Sequence, residues 1–349
     1  MPATKFMPAL GAAVAAALLL SACSHSPSPA TAAGVSTSPG SQPSASASAN
    51  TVADTPPAMV AVTGHGALVT LNPTTGVVTK KLVPGHVMGD EVSVSSTGMV
   101  YFAVKHGCTS DIEGIPAGGG TASVIVTGGS LPAVSPDGTR LAYASEPILS
   151  VGCVPSAADL VPLYKVNIRT LSSGDTVSYQ SVPHSQDSGL PAPISHLSWS
   201  ADNVHLAVSI SSVQDNEGWD LVLMDTNQAQ YYLTGQGATI VRATGSPTPQ
   251  RSYLREGVYM PSGNLFVSRA CCAGFPVQNT SRLMWEVNPS GTLLHQVAIG
   301  YANLDHTSLD VSSDGHWLLY LAGHALYVSH DGATPKQLTS HLVAAAWAS

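Results

Sequence analysis

The sequence predicts an all-β, turn-rich domain built from a repeated four-stranded unit and preceded by a polar linker. Three observations carry this reading. Only 10% of the 349 residues are charged while 44% are hydrophobic, and 32 Gly and 25 Pro punctuate the chain. Long amphipathic helices laced with i,i+4 charge pairs are absent, and short strands bounded by turn residues take their place. One local pattern recurs five times, and recurrence at a spacing of tens of residues marks a repeat architecture. Finally, residues 24–57 are almost entirely Ser, Ala, Thr, Pro and Gly, with no aromatic residue and one charge, Asp54.

The recurring pattern is a short apolar strand, a polar turn holding Gly or Asn, and a second apolar strand. It occurs at Val92–Gly98 leading to Val100–Val104, at Ala133–Gly138 leading to Leu141–Ala144, and at Leu197–Asn203 leading to Leu206–Val208. It recurs at Val258–Asn264 leading to Leu265–Val267 and at Leu309–Gly315 leading to Trp317–Tyr320. Pro presets the first corner of such a turn and Gly supplies its positive φ, so each copy is a hairpin signal with a mechanism. A second hairpin follows most copies, as at Leu163–Ile168, Leu221–Asp225, Leu283–Asn288 and Ala325–Val328. Two hairpins make four strands, which is one blade of a β-propeller.

The turn positions Thr97, Asp137, Asp202, Ser262 and Asp314 are 40, 65, 60 and 52 residues apart. The long intervals imply loop insertions. A sixth blade assembles from the two ends of the domain. Ala345–Ser349 supplies its innermost strand, Met59–Val62 the second, Ala67–Leu71 the third and Val77–Leu82 the outermost. The predicted fold is therefore a six-bladed β-propeller of four antiparallel strands per blade. It closes by pairing the C-terminal strand with the N-terminal ones. Seven blades, and then two β-sandwich domains, are the alternatives.

Val134–Ala144 (VSPDGTRLAYA) resembles the Ser-Pro-Asp-Gly repeat of the TolB-like (WD40-like) β-propellers, and Val311–Tyr320 does so nearly as well. The remaining copies keep the hairpin but lose the Pro-Asp pair. The resemblance covers most of residues 58–349. It implies the fold, and for function it implies no more than binding, because propellers host unrelated activities.

Residues 1–22 read as a signal peptide. Lys5 is its positive end, and Met7–Leu20 an apolar run too short for a bilayer span of roughly 20 residues. Leu20-Ser21-Ala22-Cys23 resembles the bacterial lipobox, which implies diacylglycerol transfer to the Cys23 thiol and cleavage before it. Residues 23–57 then form the lipidated cysteine and a flexible tether, since such a composition cannot offset its ordering entropy by burial. A palmitate-type chain beside the diacylglycerol would secure the anchor, because one acyl chain alone binds membranes marginally. The expected location is the extracytoplasmic face of the cell membrane. Removing residues 1–22 takes away Lys5 alone among charged residues, leaving 12 basic and 21 acidic side chains, a formal net charge of −9. That balance argues against nucleic acid as a partner.

In a propeller, the loops joining second to third strands share a face with the loops joining one blade to the next. The expected long loops of the first kind are Lys105–Gly119, Ser145–Val161, Ser211–Trp219 and Ser268–Ser281. Those of the second kind are Val83–Glu91, Pro183–Ser195, Thr234–Glu256 and Gly300–Thr307. The remaining cysteines, Cys108, Cys153, Cys271 and Cys272, fall in the first set and are disulfide candidates in an oxidising location. Four cysteines allow three connectivities; Cys108 with Cys153 is preferred, as they sit in equivalent loops of adjacent blades. Thirteen histidines gather on the same face. The candidate binding residues there are His65, His106, His196, Glu256, His306 and His324, with Asp90, Glu91, Asp187 and Asp305 as acidic neighbours.

No Gly-x-Ser-x-Gly elbow, His-Glu-x-x-His set, Cys-x-x-Cys pair or phosphate-binding loop is present, so no catalytic residue and no cofactor is assigned. The leading expectation is a binding module for an envelope protein or a glycan. The alternative is a metal-dependent envelope enzyme of lyase or lactonase type, using a His/carboxylate ring at the channel mouth.

Overall fold

Many inner strands of the domain, such as Ala58–Thr63 and Trp317–Ala322, are apolar along nearly their whole length, which a sheet with one wet face would not tolerate. The computed structural model describes residues 55–145, 165–180, 194–211, 219–228, 238–241, 253–270, 284–298 and 306–348, and among these it contains 24 strands and no helix. The strands group into six four-stranded antiparallel sheets. Five are sequential meanders. The first is β4 (Val87–Val94), β5 (Met99–His106), β6 (Thr109–Pro116) and β7 (Ser123–Thr127). Next come β8 (Ser130–Val134), β9 (Arg140–Ser145), β10 (Lys165–Thr170) and β11 (Thr176–Gln180). The third is β12 (Ile194–Trp199), β13 (His205–Ser211), β14 (Trp219–Asp225) and β15 (Ala238–Val241). The fourth is β16 (Tyr253–Tyr259), β17 (Leu265–Ala270), β18 (Met284–Val287) and β19 (Leu293–Ala298). The fifth is β20 (His306–Val311), β21 (Trp317–Ala322), β22 (Ala325–His330) and β23 (Lys336–Thr339).

The sixth sheet joins the ends of the domain. β24 (Leu342–Ala348) pairs with β1 (Ala58–Thr63), followed by β2 (Leu68–Leu71) and β3 (Val78–Val83). Met59 sits opposite Trp347 and Val60 opposite Ala346. The innermost strands touch in the cyclic order β24, β4, β8, β12, β16, β20 and back to β24. This is the six-bladed propeller, closed as the sequence implies. We number the blades 1 to 6, starting from the composite one.

The core divides into six hydrophobic clusters, one at each seam between neighbouring blades. β1 shows how a strand feeds two seams: Met59 and Ala61 face blade 6, while Val60 and Val62 face blade 2. Successive side chains leave opposite faces of a strand, and here both faces are covered. The strand therefore reads as a continuous apolar run and not as an alternation. Outermost strands have a solvent edge and are polar; β3 (VTKKLV) is exposed over its first four residues.

The hairpin between first and second strands repeats with the same bonds. In blade 3 the Ser135 N–H bonds the Arg140 carbonyl, Gly138 N–H bonds the Ser135 carbonyl, and Arg140 N–H donates to Ser135 Oγ. Ser200 and Ser312 do likewise in blades 4 and 6. The position of positive φ is Gly98, Gly138, Gly263 and Gly315 in four blades, and Asn203 at φ 59° in blade 4. Asn is the non-glycine residue best suited to that region.

Three expected loops are corrected, one of them Thr234–Glu256, which holds the outermost strand of blade 4, β15, and the start of β16. Lys105–Gly119 is a tight hairpin: β5 runs to His106, Gly107-Cys108 make the turn, and β6 follows. Ser110, Ile112 and Gly114 of β6 are buried while Asp111 and Glu113 between them are partly exposed, so it is a half-buried strand carrying its charges outward. Val83–Glu91 is likewise short, because β4 begins at Val87. The central parts of the other expected loops lie outside the described residues, as do Cys23, Cys153, Cys271 and Cys272.

Trp347 is 4% exposed in the seam between blades 6 and 1 and sits on the closing strand. We expect Trp347→Ala to cost about 3–5 kcal/mol, read as a lowered urea midpoint. Val77→Ala, at a 62% exposed position, should leave that midpoint nearly unchanged.

Candidate functional site: the central channel

The five corner residues Ser95, Ser135, Ser200, Met260 and Ser312 are equivalent, and pairing places Ala348 at the same point in β24. Counting back from this corner aligns the innermost strands. Every one of the six carries a register shift at the same level. The shifts lie between Val87 and Val92, Ser130 and Ala133, Ile194 and His196, Leu254 and Glu256, and Thr307 and Asp310, and in β24 between Leu342 and Ala344. A bulge bends its strand and re-aims a side chain. Leu131 and Ser308 mark the bend with φ of 51°.

The residue four before the corner lies at this bend. It is Glu91, Leu131, His196, Glu256, Ser308 and Ala344 around the ring. The scaffold repeats here but the chemistry does not: the polar members stand in blades 2, 4, 5 and 6 and the apolar ones in blades 1 and 3. Glu91, His196 and Glu256 are all buried. His196 Nδ1 comes to 3.5 Å from Glu91 Oε1, reaching past blade 3. Burial pulls the His196 pKa down to about 4, so the imidazole is neutral at ordinary pH. Its Nε2 is enclosed without a hydrogen-bond partner among the described residues.

The residue two before the corner has a different role. Ser93 Oγ accepts from the Val134 N–H at 3.0 Å, Ser198 Oγ from the Tyr259 N–H at 3.0 Å, and Asp310 Oδ2 from the Trp347 N–H at 2.8 Å. Each bond ties one innermost strand to the next. They occur at alternate seams, because the intervening equivalents Ala133, Val258 and Ala346 have no side-chain oxygen to offer; at the Ala133 seam the Trp199 indole N–H donates to the Ala133 carbonyl at 2.9 Å instead. Asp310 is the unusual member. Burial raises its pKa to about 7, against the opposing N–H bonds from Trp347 and Val311.

These two levels bound a cavity of about 280 Å³ whose wall includes residues from all six innermost strands. Glu91 and His196 lie at one end. At the other it reaches the tight-turn face, at Ser96, Pro136, Ala201, Pro261 and Ser313. The volume suits a side chain or a small molecule. A neutral imidazole, buried carboxyl groups and hydroxyls favour a cationic or hydrogen-bond-donating group over an anion.

The sequence-derived site residues are only partly brought together. His196 lines the channel, and Glu256 is buried at the equivalent position of the next blade. His65 and His324 are exposed in the β1–β2 and β21–β22 turns, the latter with Nδ1 3.2 Å from the Leu342 carbonyl. His106 is exposed at the end of β5, its Nε2 3.9 Å from Asp111 Oδ2. His306 begins β20, its side chain outside the described residues. Asp310 was not singled out by sequence reasoning. Its signal, a lone acid in the strand Leu309-Asp310-Val311, becomes readable once the blades are aligned.

No protein-family model matches the chain, and no characterised protein matches it in sequence. Solved structures match its fold. TolB from Acinetobacter baumannii superposes with TM-score 0.56 at 13% identity, over 84% of this chain and 66% of that one. The chain thus spans just under two thirds of that protein's length. A chain of a nidogen/laminin complex superposes with TM-score 0.50 at 10% identity, over 84% of this chain and 98% of that one. At such identities the likeness establishes a TolB-like β-propeller fold and nothing finer.

An acid with a raised folded-state pKa stabilises the fold fully at low pH and loses that contribution as pH rises towards the folded value. For Asp310 the loss runs from about pH 4, the ordinary carboxyl value, through about 7. We expect Asp310→Asn, which keeps an oxygen for the Trp347 N–H, to raise Tm at pH 8. It should bring no such gain at pH 4, as followed by scanning calorimetry.

Proposed function

We propose that this chain is a lipid-anchored, extracytoplasmic β-propeller that serves as a protein-interaction module, receiving a partner's side chain or short segment in the channel from the tight-turn face. The observation that carries this is the cavity itself: all six blades build it, it reaches the surface, and hydrogen-bonding groups lie at its inner end. The fold it shares with TolB and with a chain of the nidogen/laminin complex supports the same class of role. Partners are an envelope protein first, with a glycan as the other outcome of a binding test.

The anchor is part of the proposal. The Leu20–Cys23 motif and the polar tether support it, and among the described residues no helix is long and apolar enough to cross a membrane. The reading also takes Cys108 as one half of a disulfide, with Cys153 the expected other half, in keeping with an oxidising compartment.

A metal-dependent enzyme at the channel ranks second. It draws on Glu91, His196 and Asp310 sharing one enclosure. The described channel residues do not converge three ligand atoms on one point, since the single such group among the described residues lies elsewhere.

Two experiments test the reading. Cys23→Ser should move the protein from the detergent phase to the aqueous phase on Triton X-114 partitioning and abolish incorporation of labelled palmitate; an unchanged detergent-phase protein would remove the anchor. Ala201→Trp, at an exposed mouth position, should cut recovery of crosslinked partners from intact membranes at least about 10-fold at unchanged Tm. His106→Trp on the opposite face should not. The reverse pattern would assign binding to the loop face.

A further inference from the structure

Blade 6 carries a group of side chains that the channel does not use. His316 follows the positive-φ Gly315 of the β20–β21 turn. His330 ends β22 directly opposite Trp317. Asp331 occupies the first corner of the β22–β23 turn at φ 48°, followed by Gly332 at φ 72°. The turn is closed by the Ala333 N–H on the His330 carbonyl, and Asp331 N–H donates to the His316 carbonyl at 2.9 Å. The backbone thus holds two turns of one blade side by side.

The side chains converge. Nitrogen or oxygen atoms of His316, His330 and Asp331 lie within 4.8 Å of one another. His316 Nδ1 is 2.6 Å from Asp331 Oδ1, and His330 Nε2 is 3.6 Å from Asp331 Oδ2. The second distance is too long for a hydrogen bond. It is close to the roughly 3.3 Å that separates two ligands of one tetrahedral ion with bonds of about 2.0–2.2 Å.

His330 is the informative member. Trp317 stacks on its ring at 4.2 Å and 26°, fixing its plane. Its Nε2 is covered yet makes no hydrogen bond among the described residues, and it faces the Asp331 carboxylate. A covered nitrogen without a partner normally costs stability, and a metal ion shared with the carboxylate would satisfy it.

We propose that His316, His330 and Asp331 form a surface site for one divalent transition-metal ion of the zinc class. Two imidazoles and one carboxylate suit zinc, nickel or copper and disfavour calcium and magnesium, which take oxygen ligands. Loading replaces the proton shared by His316 Nδ1 and Asp331 Oδ1, which leaves to solvent, and the carboxylate turns so that one oxygen binds the ion. His316 and Asp331 are 36% and 56% exposed at their side chains, so the remaining coordination positions open to water or to a donor from a partner. The Asp314 carboxylate, which accepts the His316 N–H at 3.1 Å, adds negative charge nearby. The site is separate from the channel, and the binding reading above neither requires it nor falls with it.

The test uses the full chain, untagged and metal-stripped, titrated with Zn2+ by calorimetry and with Co2+ by absorption. Asp331→Asn suits the positive φ, and His316→Gln changes a partly exposed side chain, so both should fold with unchanged apo Tm. We expect one Zn2+ per chain at micromolar or tighter Kd, and a Co2+ spectrum free of thiolate charge-transfer bands. Each variant should weaken binding about 100-fold or more, while His65→Gln and His106→Gln leave it intact. Wild-type stoichiometry no higher than that of the Asp331→Asn, His316→Gln double variant would overturn the site. A thiolate band in the Co2+ spectrum would overturn it too.

Discussion

Every blade of this protein has two apolar faces and no means of covering either alone. That constraint governs the rest. A four-stranded sheet that feeds Met59 and Ala61 to one neighbour and Val60 and Val62 to the other is stable only within a row, and a row ends in two wet apolar faces unless it closes. Closure falls to β24, whose pairing with β1 turns the last seam into one like the others. Burial at roughly 25 cal/mol per Å² of apolar surface, repeated at six seams, is the driving force. The hairpin bonds around Ser135, Ser200 and Ser312 set the geometry within each blade.

The channel follows from the same repetition. Six innermost strands bulge at one level, so the backbone presents six equivalent places for a side chain. Glu91, His196 and Glu256 occupy three of them and Leu131, Ser308 and Ala344 the rest. A symmetric frame thereby holds an asymmetric polar patch. Burial moves the two pKa values in opposite directions with one effect on charge, holding the His196 imidazole neutral and raising the Asp310 carboxyl towards neutrality. The channel is thus weakly charged at these two positions near neutral pH.

Much of the architecture was legible because it rests on local signals. Val134–Ala144 announces a hairpin by its Pro and Gly, and Ala345–Ala348 matches an innermost strand with no second strand of its own. β6 reads as loop in the sequence, since Asp111, Glu113 and two glycines outweigh the period-two burial of Ser110 and Ile112. The site was less legible. His196 and Glu256 were picked out with four other residues on general grounds of residue type. Asp310 was passed over because its meaning depends on ring position, and the bulges leave no mark in composition. His316, His330 and Asp331 are distributed over two turns, and only the β21–β22 register brings them together.

The alternation two residues before the corner also bears on how the ring can deform. Sliding of one innermost strand past the next stretches a directional bond where Ser93, Ser198 or Asp310 reaches across. Where Ala133 stands instead, the Trp199 indole N–H bonds the Ala133 carbonyl at 2.9 Å; Val258 and Ala346 bring only apolar side chains to this level. Around the axis, then, the hoop of strands is sixfold in shape but not in stiffness. A guest entering the channel would meet a wall that does not yield evenly around its rim.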